Sequence, residues 1–156
     1  MKDDFEILVE KYADTVTRIC FVNLESRADA EDAWQNVFIK LFKSKKLWDK
    51  TDEELRKWLV TVTLNECRDT KRKLFHRNHY DIDELDVSYS EDFNKEVISA
   101  VRGLPLKYLQ VIELYYFEGY SVAEISDILS ANVNTVKSRL KRGRELLKGE
   151  LSDEQL

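Results

Sequence analysis

Apolar residues recur at helical spacing along most of this chain, and the pattern is interrupted at only a few places. Phe5, Leu8, Val9, Tyr12, Val16, Ile19 and Cys20 return every three or four residues, the spacing that lines one face of an α-helix. Ala33, Trp34, Val37, Phe38, Leu41 and Phe42 repeat the pattern, and so do Leu55, Trp58, Leu59, Val62 and Leu64. Between the last two runs lies SKKLWDKTDEE, a polar loop predicted to hold one aromatic residue, Trp48, exposed. Three or four helices with this aromatic content can bury a core of their own, so Asp3 to about Asn78 reads as one helical block.

The stretch HYDIDELDVSYSEDF has no period and many acids, and it reads as a flexible linker. Helical spacing resumes with Val97, Ile98 and Val101. At Leu104-Pro105 the proline suits the first turn of a new helix, which Leu109, Ile112, Leu114 and Phe117 continue. Glu118-Gly119 is a stop, and Ser121 can cap the next helix. Val122, Ile125 and Leu129 then share one face, Ser130-Ala131-Asn132 makes a small-residue turn, and Val133, Val136 and Leu140 share a second face begun by Asn132 as N-cap. Two short helices about such a turn form a helix-turn-helix. The expected fold is all-α: two small helical domains, residues 1–78 and 93–151, joined by the acidic linker 79–92 and followed by a tail, 152–156, too short for a further domain.

Composition changes this picture at one point. Of 156 residues, 43% are hydrophobic and 35% charged, with one Pro and four Gly, which leaves little punctuation for β-hairpins. The net charge of −5 argues against nucleic acid until its distribution is read. Leu55–Asn78 holds seven Lys/Arg against two acids, His79–Glu96 seven acids against Lys95, and Asn134–Lys148 six Lys/Arg against one acid. Two basic blocks on either side of an acidic bridge suggest two nucleic-acid surfaces. Cys20 and Cys67 sit among apolar neighbours without paired spacing, as reduced core thiols do in the cytoplasm. No run is long enough to insert in a membrane, and no signal peptide is recognisable.

The second helix of the helix-turn-helix presents Lys137, Ser138, Arg139, Lys141, Arg142 and Arg144. The N-terminal part of such a helix enters the DNA major groove, where Arg and Lys reach guanine acceptors and others clamp phosphates. An ordinary amphipathic helix with a solvated basic face would share the periodicity. In ELRKWLVTVTLNECRDTKRK, Trp58 interleaves with cations, and Asn65, Arg68, Lys71, Arg72 and Lys73 come after it. A basic surface with amides and aromatics suits single-stranded nucleic acid, although Trp58 itself fits a core position better. In ADAEDAWQNVFIKLF, Asp29 and Glu31 can be explained by the helix dipole, whereas Asp32 and Gln35, one turn apart, offer a polar patch to a partner protein. His76 and His79, with Asp81 and Asp83, are too sparse for a metal site. Nothing resembles a catalytic triad, a Cys-His pair or a phosphate loop, so no catalytic residue, metal or cofactor is expected and an enzymatic reading has no support.

Taken in order, these segments resemble the sigma-70 family of bacterial RNA polymerase initiation factors, in its compact extracytoplasmic-function (ECF) branch. DAEDAWQNVFIKLF is similar to the family's second conserved region, WLVTVTLNECRDTKRK to the helix that reads the minus-10 promoter box, and LPLKYLQVIELYYFEGYSVAEISDILSANVNTVKSRLKRGRELL to region four, which reads the minus-35 box. The resemblance implies that Asp32 and Gln35 bind core RNA polymerase. It implies that Asn65, with the loop around Trp48, captures a flipped base of melted promoter DNA, and that Arg68, Lys71, Arg72 and Lys73 track the backbone. Lys137, Ser138, Arg139, Lys141 and Arg142 would face the minus-35 element. An anti-sigma protein is an implied partner. Departures from the family are Ser126 where Ala is usual, Ser130 where Gly is usual, Ala131 for a larger apolar residue, and Tyr115 where a basic residue is common. The alternatives are a stand-alone helix-turn-helix regulator, which would bind its operator without polymerase, and a helical regulator that binds polymerase without touching DNA.

Overall fold

The computed structural model describes residues 2–77 and 95–150. The acidic linker 79–92 and the tail 152–156 expected from the sequence lie outside the described residues, and the His76/His79/Asp81/Asp83 segment runs beyond them. The chain divides into two compact units, Met1–Leu85 and Asp86–Leu156. The described residues are helical with no strand. None of their helices is long and apolar enough to cross a membrane.

Unit one packs three helices, α1 (Asp4–Asn23), α2 (Arg27–Lys43) and α3 (Asp52–Arg77), each against the other two. Each helix begins where the sequence supplies a side-chain cap for its free N–H groups. The Asp3 carboxylate accepts from Glu6 N–H at 2.8 Å, Ser26 Oγ from Asp29 N–H at 3.3 Å, and Thr51 Oγ1 from Glu54 N–H at 3.2 Å. The core joins Tyr12, Val16, Cys20, Leu24, Ala33, Val37, Phe38, Leu41, Leu55, Leu59 and Cys67. Both cysteines are buried free thiols, as read from the sequence.

Two expectations fail at the end of α2. Phe42, placed in the helical stripe, is 53% exposed. Trp48, expected exposed, is half-buried. The SKKL segment is a 3-10 turn (Lys45–Leu47) that folds the indole back over the end of the bundle. Its ring stacks on Phe5 at 5.7 Å and lies 6.4 Å from Phe42, its Nε1–H donates to the Leu41 carbonyl at 2.9 Å, and Lys45 Nζ lies 5.8 Å from the indole centroid. Burying the indole N–H is tolerable because it meets the Leu41 carbonyl, which also accepts from Ser44 N–H at 3.0 Å and uses its second lone pair for the indole.

Unit two contains α4 (Lys95–Arg102), α5 (Leu106–Ile112), α6 (Val122–Leu129) and α7 (Val133–Glu150). Pro105 precedes α5 as its N-cap. The periodicity suggests one helix through Phe117, but the helix widens into a π turn over Glu113–Phe117, where Glu118 N–H donates back to the Glu113 carbonyl at 3.1 Å. Gly119 then turns the chain at φ +76°. The core holds Ile98, Val101, Leu109, Ile112, Leu114, Ile125, Ile128, Val136, Leu140 and Leu147. α5 and α7 approach closely at Gly143, where a β-carbon would stand 3.0 Å from Ile112 Cγ1. Two details of the predicted faces differ. α6 buries Ile128 more fully than Val122 or Leu129, and Val133 is 38% exposed. Val133 opens α7, so it has no preceding turn to pack beneath.

Candidate nucleic-acid interfaces

On unit one the candidate residues fall on α2 and α3. Asp32 and Gln35 are both exposed, one turn apart on α2. The residues that continue that side, Ile39 and Phe42, are 48% and 53% exposed, an apolar extension that sequence reasoning missed. The available signal was that Ile39 falls outside the buried rows Ala33–Val37–Leu41 and Trp34–Phe38. Exposed apolar residues beside a carboxylate and an amide form the kind of mixed patch that a protein partner covers.

α3 separates the five basic-surface candidates. Asn65, Arg68, Arg72 and Lys73 are exposed. The Asn65 side chain forms no hydrogen bond among the described residues, so its amide can both donate to and accept from a base edge. Lys71 differs. It is half-buried, and burial holds its ammonium below the ordinary lysine value, against the opposing pull of Cys67 and Glu25 beside it. Lys71 thus lies half-buried beside the exposed Arg68, Arg72 and Lys73.

Other cations come from α2. A groove of about 580 Å³ runs between the two helices, lined by Asn36, Ile39, Lys40 and Lys43 on one side and Glu66, Asp69, Arg72 and Lys73 on the other. Glu66, 9% exposed, accepts hydrogen bonds from Lys40 Nζ and, at 3.5 Å, from Asn36 Nδ2. Lys40 is therefore neutralised, while Lys43, Arg72 and Lys73 form no ion pair among the described residues and leave the groove positive. Trp58 is partly buried against the core, as its spacing suggested.

On unit two, α6, the turn and α7 are fixed by their own polar groups. Ser121 and Glu124 form a reciprocal capping box at the start of α6. Ser130 ends that helix in the left-handed region at φ 52°, where glycine is favoured. Ser126 Oγ donates to the Ala131 carbonyl, and Asn132 Oδ1 accepts from Asn134 N–H at 2.8 Å to start α7. The Ser126 hydroxyl contact explains how serine is accommodated at 126; nothing in the structure explains the serine at 130. α7 buries Val136, Leu140, Gly143 and Leu147, which turns Asn134, Lys137, Ser138, Lys141 and Arg142 to solvent. Arg139 is half-buried on the flank, and Arg142 Nη1 lies 3.3 Å from Glu145. That exposed pair costs little to open, so Arg142 can exchange its partner for a base.

Further along α7, Arg144 reaches the π turn. Its guanidinium carbon lies 5.6 Å from the ring centroids of both Tyr115 and Tyr116, and its Nε–H donates to Tyr116 Oη. The sequence placed Arg144 among the charges of α7 but carried no signal for this contact.

Comparison with known proteins meets this geometry. The family description Sigma-70 region 2 matches residues 8–76, and Sigma-70, region 4 matches residues 94–147. The chain is 28% identical to the ECF RNA polymerase sigma factor SigW of Bacillus subtilis, over 97% of this chain and 91% of that protein. It is 32% identical to the RNA polymerase sigma factor SigZ of the same organism, over 81% of this chain and 74% of that protein. Among solved structures it resembles the sigma factor RpoE of Bartonella quintana, crystallised with the anti-sigma factor NepR. The TM-score is 0.73 at 20% identity, over 97% and 98% of the two chains, a likeness of fold.

Proposed function

This chain belongs to the sigma-70 family of RNA polymerase sigma factors, in its ECF branch, and on that premise we propose how its surfaces divide promoter recognition. A sigma factor is an initiation factor: it binds core RNA polymerase and directs it to promoters. We assign core binding to Asp32 and Gln35, with Ile39 and Phe42 completing the patch. Asn65, Arg68, Arg72 and Lys73, with Lys43 across the groove, hold the melted minus-10 strand: amide to base, cations to phosphate. Trp48 acts by shaping the end of the bundle. The α7 face of Lys137, Ser138, Lys141 and Arg142, flanked by Arg139, reads the minus-35 duplex. Residues 1–78 and 93–151 are thus two recognition domains. The protein works in the cytoplasm beside the polymerase, and an anti-sigma protein is the regulator we expect, by analogy with the complex of the Bartonella protein.

The observation that carries this reading is the orientation of α7. Most of its apolar side is used up in the core, and after the exposed Val133 its N-terminal half offers a polar face with the amide, hydroxyl and cations that major-groove readout requires. Run-off transcription tests it: core polymerase with this chain should initiate from the chain's own upstream region, and core polymerase alone should not. A stand-alone helix-turn-helix regulator would instead bind that duplex equally well without polymerase and start no transcript.

A further inference from the structure

We propose that Tyr115, Tyr116 and Arg144 form a rigid phosphate clamp that grips the DNA backbone at the rim of the major groove, beyond the bases read by the start of α7. The inference rests on the assignment of α7 to duplex DNA. Tyr115 and Tyr116 leave the π turn side by side, 36% and 54% exposed, with ring centroids 4.9 Å apart at 73°. A π turn is wider than an α turn, so neighbouring residues can both point outward. Arg144 lies against both rings at 5.6 Å and is anchored through Nε to the Tyr116 hydroxyl. Two cation–π contacts and one hydrogen bond hold the guanidinium without neutralising it. Its two Nη groups make no ion pair among the described residues, in contrast with Arg142, which faces Glu145. A fixed, uncompensated guanidinium presenting two N–H donors at the surface fits a doubly acceptor oxyanion such as phosphate.

Two considerations select DNA phosphate as the occupant. First, Arg144 continues a stripe. Lys137, Lys141, Arg144 and Lys148 are spaced i, i+4, i+7 and i+11, all on one side of α7, so the clamp is continuous with the duplex-facing surface. Second, the depth fits. From Ser138 to Arg144 is six residues, about 9 Å along the helix, and the major groove is about 8.5 Å deep. A helix that points its N-terminus into the groove and touches bases with its first turns brings residue 144 to the level of the flanking phosphates.

Reconstituted holoenzyme made with the full chain is titrated with two fluorescent duplexes, one bearing the upstream element and one with it scrambled, across a NaCl series. Arg144→Ala should weaken both duplexes by the same factor, about 3–10-fold near physiological salt, and make the log–log salt slope shallower by about 1, the signature of one lost phosphate contact. Arg144→Lys keeps the charge and should restore the slope. Tyr116→Phe removes only the anchor and should lower affinity about 2-fold with the slope kept. If Arg144→Ala loosens unit two, seen as a loss of helical circular dichroism, Arg144→Met retains the stem over the rings and should give the same slope change. Three results overturn the proposal: an unchanged slope, a loss confined to the specific duplex, or weakened core polymerase binding with DNA affinity intact, which would make the cluster a protein-contact site. Failure of the wild-type holoenzyme to discriminate the two duplexes would instead refute the underlying assignment of α7.

Discussion

Replacing Tyr12 with phenylalanine should weaken unit one and abolish a specific alkaline loss of stability. The Tyr12 ring is 1% exposed in the core, and its hydroxyl donates to the carboxylate of Asp52, the first residue of α3. Lys11 Nζ lies 3.1 Å from that carboxylate and an Arg56 nitrogen 3.8 Å, while Arg56 also donates to Thr15 Oγ1 at 3.2 Å. One phenol thus ties the middle of α1 to the start of the helix that carries Asn65 and Arg72. Burial first, then the hydrogen bond to Asp52 and its charge, push the Tyr12 hydroxyl from 10.0 up to about 12. At neutral pH Tyr12→Phe removes only the hydrogen bond, worth about 1–2 kcal/mol to a charged but water-exposed acceptor. That corresponds to a melting point about 4–8 °C lower per kcal/mol for a unit of this size. At high pH the sign follows from linkage. Between pH 10 and 12 the unfolded chain gives up its phenol proton while the folded chain keeps it, so the unfolded state binds fewer protons and stability falls as pH rises. Two pH units set an upper bound of about 2.7 kcal/mol on that loss, and solvent near Asp52 brings the expected value to about 1–2. The assay is urea unfolding followed by tryptophan fluorescence, which reports unit one alone because Trp34, Trp48 and Trp58, the chain's three tryptophans, all lie there. Tyr12 is also the only tyrosine among the described residues of that unit. A Tyr12→Phe protein that loses stability between pH 10 and 12 as steeply as the wild type would refute the reasoning.

Three further outcomes are expected. Replacing both Asp32 and Gln35 with Ala should weaken core polymerase binding by about 2 kcal/mol or more while far-UV circular dichroism stays unchanged, and normal binding in a titration would remove them from the contact. Ser130→Gly should stabilise α6 and α7 by about 0.5–1 kcal/mol, read as slower amide hydrogen exchange, because it relieves a left-handed serine; faster exchange would mean that the turn contacts outweigh the backbone cost. Lys71→Gln should leave promoter affinity and its salt slope within about 2-fold of wild type, whereas Arg72→Gln should lower both, since only Arg72 is exposed to a phosphate; equal effects would return Lys71 to the DNA surface.

Helices were legible because their signal is local. Apolar spacing, the Ser121–Glu124 cap, Asn132 and Gly119 act within a few residues, so they predicted the helix-turn-helix and its starting points, and the segregation of basic blocks showed which helices carry charge. The exposure of Asp32 and Gln35 could also be read, because the residues between and around them already filled the buried stripe of α2. The failures share a different cause. Spacing does not say that Lys71 is half-buried while Arg72 next to it is exposed, because that depends on what packs against α3. Trp48 is drawn inward by Phe5, a residue 43 positions earlier, and by the second lone pair of the Leu41 carbonyl, while Phe42 is left at the rim of the same cluster. The π turn, with Leu114 buried in the core of unit two and Tyr115 and Tyr116 exposed beside Arg144, rests on hydrogen bonds that no propensity reports. Periodicity decided which residues lie on a helix and roughly which face is apolar. Contacts between residues distant in sequence decided which charges remain unpaired at the surface, because a side chain's partner is chosen by the neighbouring helix and not by its own.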